Sequence, residues 1–109
     1  MISENGISVS ADPVNARAEI FAGDYLNKLS GEKIEYECRR HIEAGCKELI
    51  VNFSKTEIVN SIGISILLDV IDTAQGAGAL VVVSDVNEST IELFDMLGVT
   101  KHVTLVSGE

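Results

Sequence analysis

Two short apolar runs, Leu49-Ile50-Val51 with Phe53 two places on and Ala79-Leu80-Val81-Val82-Val83, have no regular polar alternation. Runs of that kind read as buried strands of a parallel sheet, unlike the alternating strands that keep one face in water. Between them, residues 61–75 repeat their apolar positions at helical spacing. Strand, helix and strand in that order make a parallel crossover, which is right-handed almost without exception. The rest of the chain has to extend this unit.

Toward the N-terminus, residues 1–6 are polar and expected to be loose, Ile7 to Val9 open a strand, and Asp12-Pro13 marks a turn. From Val14 the pattern alternates, with Val14, Ala16, Ala18 and Ile20 on one side and Asn15, Arg17 and Glu19 on the other. That is a half-buried strand, paired with the first as a hairpin and broken at Gly23-Asp24. Ser30 is placed to cap a helix running to about Ala44, with Gly45 at the stop position. Ile34, Cys38 and Ile42 form its buried stripe, and His41 borders that stripe as a helix-surface residue.

The helix opening at Ser61 has a narrow polar stripe of Ser65, Asp69, Asp72 and Gly76, and is apolar over the remainder. One sheet face does not need so much apolar surface, so either the helix is deeply buried or its first turn shows apolar side chains to a partner. Asn87 caps a short third helix with Ile91, Phe94 and Leu97 facing inward, and Gly98 ends it. A last strand within residues 99–106 centres on Val103-Thr104-Leu105, followed by a tail at 107–109. The predicted architecture is one α/β domain over residues 7–106, in the order β-β-α-β-α-β-α-β. It has a mixed sheet of four to five strands and about three helices.

Seventeen acidic residues against eight basic ones give a formal charge of −9. Such a field repels nucleic-acid phosphates and anionic lipid surfaces and favours a protein partner with a basic patch. No apolar run is long enough to cross a bilayer, and residues 1–6 lack the design of a signal peptide. Cys38 and Cys46 stand eight apart with no zinc-ligand spacing, so the chain reads as reduced and cytoplasmic. Gly76-Ala77-Gly78 follows a helix and precedes a strand, the reverse of a dinucleotide loop. No nucleophile elbow is present and the carboxylates are scattered. The sequence therefore predicts no enzyme, no cofactor and no metal site.

Residues 57–64, Glu-Ile-Val-Asn-Ser-Ile-Gly-Ile, place one hydroxyl where an apolar strand and loop turn into an apolar helix. Backbone N–H groups in a first helical turn have no internal partner, and the helix dipole adds positive charge there. Ser61 can cap that turn, and a phosphoryl group on it would bring roughly −1.5 to −2 charges to one surface point.

Three segments together resemble the STAS family, and within it the stand-alone bacterial anti-sigma factor antagonists. Phe21-Ala22-Gly23-Asp24-Tyr25-Leu26, followed by Ser30-Gly31-Glu32-Lys33-Ile34, is similar to the family's strand ending in Gly-Glu/Asp before a helix. Asn60-Ser61-Ile62-Gly63-Ile64 resembles the family's Asp-Ser-(Ser/Thr/Ala)-Gly-(Leu/Ile). Leu93-Phe94-Asp95-Met96-Leu97-Gly98-Val99 is similar to its Leu-Phe-Asp-(Met/Ile)-x-Gly-Leu. Asn60 stands where the family usually has Asp, which removes a charge beside the hydroxyl. Ile62 stands where many relatives carry a hydroxyl or a small residue.

The resemblance implies partner switching. The antagonist docks on an anti-sigma factor that is also a GHKL-type serine kinase, releasing a sigma factor to RNA polymerase. ATP and magnesium belong to that kinase, Ser61 matches the phosphorylated position, and a PP2C-type phosphatase reverses the mark. The partner-binding set is Asp24, Asn60, Ser61, Ile62, Gly63 and Ile64. The alternative is a non-phosphorylated STAS scaffold, a subunit of a signalling assembly or of a lipid-transport ABC system.

Overall fold

The computed structural model describes residues 7–12 and 16–106. Strands β1 (Ser8–Asp12) and β2 (Arg17–Phe21) form the expected antiparallel hairpin, with Val9 opposite Ile20 and Ala11 opposite Ala18. The Pro13 turn, Val14 and the two end segments, 1–6 and 107–109, lie outside the described residues. After β2 come β3 (Tyr25–Leu26), α1 (Lys28–Glu43), β4 (Glu48–Asn52), β5 (Ile58–Val59) and α2 (Ser61–Gly76). They are followed by β6 (Leu80–Ser84), α3 (Glu88–Met96), a 3-10 turn at Val99–Lys101 and β7 (Thr104–Val106). The chain is a single α/β domain with three helices and a mixed five-stranded sheet in the order β1-β2-β4-β6-β7. Strands β3 and β5 form a separate parallel pair that the sequence did not announce.

Strands β2, β4, β6 and β7 are parallel, and each crossover steps the same way along the sheet. Right-handed crossovers that all step in one direction put all three helices on one face. Alternation then divides the strands. Ala18, Ile20, Leu49, Val51, Val81 and Val83 are buried under the helices, whereas Arg17, Glu19, Glu48, Ile50 and Leu80 line the opposite face. The expectation of strands buried on both faces, drawn from the unbroken apolar composition of the two runs, is therefore corrected: the helices cover one face only. Leu80 is 51% exposed and Ile50 only half-buried.

Under the helix layer, Ile34 and Cys38 of α1, Ile64, Leu67, Val70 and Ile71 of α2, and Phe94 of α3 close a continuous core. With few aromatics to fill it, Phe94 meets Phe53 edge-on at 5.6 Å between ring centroids. Burial, with help from Glu37 and Glu35, pushes the Cys38 thiol up to about 12. Helices α1 and α2 pack closely because Gly31 faces Ile66; a Cβ at Gly31 would lie 3.3 Å from the Ile66 Cβ.

Three local expectations are corrected. Helix α1 begins earlier than Ser30: Asn27 is its cap, accepting the Ser30 amide at 2.9 Å. The Ser30 hydroxyl accepts the Asn27 amide in return and donates to the Tyr25 carbonyl. Leu97 falls past the last turn of α3 and is 44% exposed instead of facing inward. The final strand is shorter than residues 99–106 because the chain first makes the 3-10 turn that buries Val99.

Candidate docking site

Beyond the ends of the parallel strands, two loops are laced together. Thr56 is buried and its hydroxyl donates to the Gly23 carbonyl at 2.7 Å. The amides of Glu57 and Ile58 both donate to the Asp24 carbonyl, and the Asn60 amide donates to the Leu26 carbonyl at 2.9 Å. Pairing of Tyr25 with Ile58 and of Leu26 with Val59 continues the lacing to the helix starts. Asn27 and Asn60 follow at equivalent places, so α1 and α2 begin side by side from a common platform.

That platform decides which residue caps α2. Asn60 has extended backbone angles, and its Oδ1 accepts the Gly63 amide at 2.8 Å. Ser61 is the first helical residue, not the cap, which corrects the structural role expected of it. Its side chain is exposed, and its hydroxyl makes no hydrogen bond among the described residues. An alcohol with no structural task, on a rigid helix start near unpaired amides, is open to chemistry from outside.

Of the residues predicted to meet a partner, Asp24 and Ile62 are exposed and Asn60 is half-buried. Gly63 and Ile64 do not belong to that surface. Gly63 is covered by Leu26, whose carbonyl oxygen lies 2.7 Å from where a Gly63 Cβ would be. Ile64 is 1% exposed and points into the core, because it shares the inward face of α2 with Leu67 and Ile71. Two further residues of the laced loops, which sequence reasoning passed over, are exposed. Ile58 is 57% exposed and Tyr25 is 40% exposed, beside Ile62 at 55%. The Tyr25 hydroxyl accepts from Asn60 Nδ2 at 3.4 Å, which ties it to the Ser61 end of the platform.

The face around Ser61 is thus apolar at Tyr25, Ile58 and Ile62 and acidic at the exposed Asp24 and Glu57. Aliphatic and aromatic anchors within a charged rim are the anatomy of a protein-docking surface. Among the described residues no cluster of three or more His, Cys, Asp or Glu side chains is placed to hold a metal. No helix among them is long and apolar enough to cross a membrane.

A family model described as the STAS domain matches residues 22–108. A search of curated proteins finds no significant match. Among solved structures, the chain is similar to the anti-sigma factor antagonist SpoIIAA in its unphosphorylated form, with 12% identity and a TM-score of 0.76. That match covers 94% of this chain and 89% of the other. The phosphorylated form of SpoIIAA, described as a Bacillus cell fate determinant, gives 13% identity and a TM-score of 0.74 over 94% and 91%. A serine-to-glutamate variant of RsbS from Moorella thermoacetica gives 13% identity and a TM-score of 0.79 over 94% and 87%. At these identities the structural likeness establishes a shared fold.

Proposed function

The chain belongs to the STAS domain family, and from that premise we propose that it is an anti-sigma factor antagonist whose docking is switched by phosphorylation of Ser61. The observation that carries this reading is the exposed, unbonded Ser61 hydroxyl, next in the chain to exposed Ile62 and to Asn60, whose side chain bonds Tyr25. Its relatives lend support, since SpoIIAA has been solved in unphosphorylated and phosphorylated forms.

In the unmodified state, Tyr25, Ile58 and Ile62 bury against an anti-sigma factor, while Asp24 and Glu57 meet a basic rim on it. Docking displaces a sigma factor. The same partner, a serine kinase of the GHKL type using its own ATP and magnesium, transfers a phosphoryl group to Ser61 Oγ. The helix N-terminus tolerates the new dianion in water. Docking would strip that water away against an apolar contact, and each 1.4 kcal/mol of penalty costs about tenfold in affinity. A PP2C-type phosphatase resets the surface. On this reading the protein acts in the cytoplasm and touches neither nucleic acid nor membrane itself.

Incubation with a cognate anti-sigma kinase and ATP is expected to add one phosphate, located at Ser61 by mass spectrometry. A phosphate that persists in Ser61→Ala, or none in the wild type, overturns the assignment. The exposed Ile62 in place of a smaller side chain favours a second reading, a permanent contact within a STAS scaffold or a lipid-transport ABC system. Co-purification of a stable multimer or a transporter ATPase, in place of a kinase, would select it.

A further inference from the structure

The two polar atoms of the Asn60 side chain are used in opposite senses. Its Oδ1 accepts the Gly63 amide at 2.8 Å, and only the oxygen of a side-chain amide can do that. The orientation of the amide is therefore fixed by the cap. What it turns to Tyr25 is the Nδ2 donor, 3.4 Å from the phenolic oxygen. A tyrosine hydroxyl has one proton and can also accept. Here the accepting role is filled by Asn60, and among the described residues nothing accepts the proton.

The donor is also held in place. Tyr25 pairs with Ile58 in the β3–β5 ladder, and its carbonyl accepts the Ser30 hydroxyl at 2.7 Å, so its backbone is anchored from two sides. The contact with Asn60 lies at the surface, where the tyrosine is 40% exposed. A hydroxyl fixed in this way meets a partner with little ordering left to do. An aspartate at position 60 would reverse its sense. A carboxylate only accepts, so one oxygen would keep the Gly63 amide and the other would take the Tyr25 proton. The residue at position 60 thus decides whether that proton faces outward or inward.

We propose that Tyr25 is a specificity-determining residue of the docking face, donating its proton to a carbonyl or carboxylate oxygen of the partner, and that Asn60 is the positioning residue that keeps this proton outward. The proposal rests on the reading of the Ser61 face, which supplies the partner. An acceptor on the partner satisfies the proton when the face is covered. A partner with only apolar atoms at that point leaves a donor buried and unpaired, which costs affinity. Partners are then distinguished by hydrogen bonding in addition to the apolar contact at exposed Ile58 and Ile62.

The test is a double-mutant cycle on the full chain, read by surface plasmon resonance against the GHKL-type kinase that phosphorylates Ser61 in the assay above. Tyr25→Phe keeps the ring and should weaken binding about three- to tenfold. Asn60→Asp keeps a good helix cap. It should lower affinity at least about threefold more in the wild-type chain than in Tyr25→Phe, where no proton remains to turn inward. That comparison separates the hydrogen bond from the added charge, which is the same in both backgrounds. Wild-type affinity in Tyr25→Phe, or an equal effect of Asn60→Asp in both backgrounds, overturns the proposal and leaves the Ser61 reading standing. A chain that no such kinase binds or phosphorylates overturns both.

Discussion

The backbone carbonyl of Leu26 occupies the space in which a Gly63 side chain would begin, 2.7 Å from its Cβ position. A methyl group there cannot be relieved by turning a flexible side chain, because its neighbour is backbone. Gly63→Ala should therefore destabilise the protein by about 1–3 kcal/mol through overpacking, despite the better helix propensity of Ala. Gly76, in the last turn of the same helix, has open space around its Cβ position. Gly76→Ala should stabilise by about 0.5–1 kcal/mol. Urea denaturation of the two variants checks the contrast; equal shifts would contradict the close approach.

Asn60 and Ser61 are neighbours with separate tasks. Asn60→Ala removes the acceptor for the Gly63 amide and should cost about 0.5–2 kcal/mol. Ser61→Ala removes an unbonded exposed hydroxyl and should stay within about 0.5 kcal/mol of wild type. Thermal melts of both proteins decide the matter, and a larger loss in Ser61→Ala would return the capping role to the serine.

Charge at position 61 should act on docking, not on folding. Ser61→Asp is expected to bind the anti-sigma partner at least tenfold more weakly, equivalent to about 1.4 kcal/mol, whereas Ser61→Ala binds as wild type does. Ile62→Glu should weaken binding in the same direction by placing a carboxylate in the apolar contact. Surface plasmon resonance against the partner measures all three, and wild-type affinity throughout would move the docking face elsewhere.

The two thiols should differ in reactivity. Cys38 is buried with its thiol raised to about 12, so it carries almost no thiolate at pH 8 and should resist a disulfide reagent until the protein opens. Cys46 is only half-buried and should react first. The folded value of Cys38 exceeds the ordinary one of 9.0, so its contribution to stability is complete below pH 9. That contribution is lost progressively as pH rises from 9 toward about 12, since only the unfolded chain releases the proton readily. Timed labelling with mass spectrometry, repeated at pH 8 and 10, tests both statements.

Phe94→Ala should cost about 3–5 kcal/mol, since the ring is fully buried and meets Phe53 edge-on. Calorimetry measures the loss.

The hairpin, the three helices and the parallel crossovers were legible because each spans enough residues to show a period. Strands β3 and β5 were not, since two residues have no periodicity and their pairing is set by loops 33 positions apart. The misplaced caps have the same origin. In both Asn27-Lys28-Leu29-Ser30 and Asn60-Ser61 an asparagine precedes the serine, and lacing of the preceding strand fixes which one keeps extended angles. Exposure of Ser61 followed from its place at a helix start. Burial of Ile64 was also readable, from its three- and seven-residue spacing to Leu67 and Ile71, once a surface motif was not assumed to be continuous. Exposure of Leu80 was not readable, because the side on which a helix crosses depends on the order of strands and not on any one of them.

A sheet clad on one side only gives the molecule a back as well as a front. Whatever grips the Ser61 end leaves the bare strands beyond Arg17, Ile50 and Leu80 untouched. Those strands stay open on a chain of 109 residues whose other side is spent on enclosing its core.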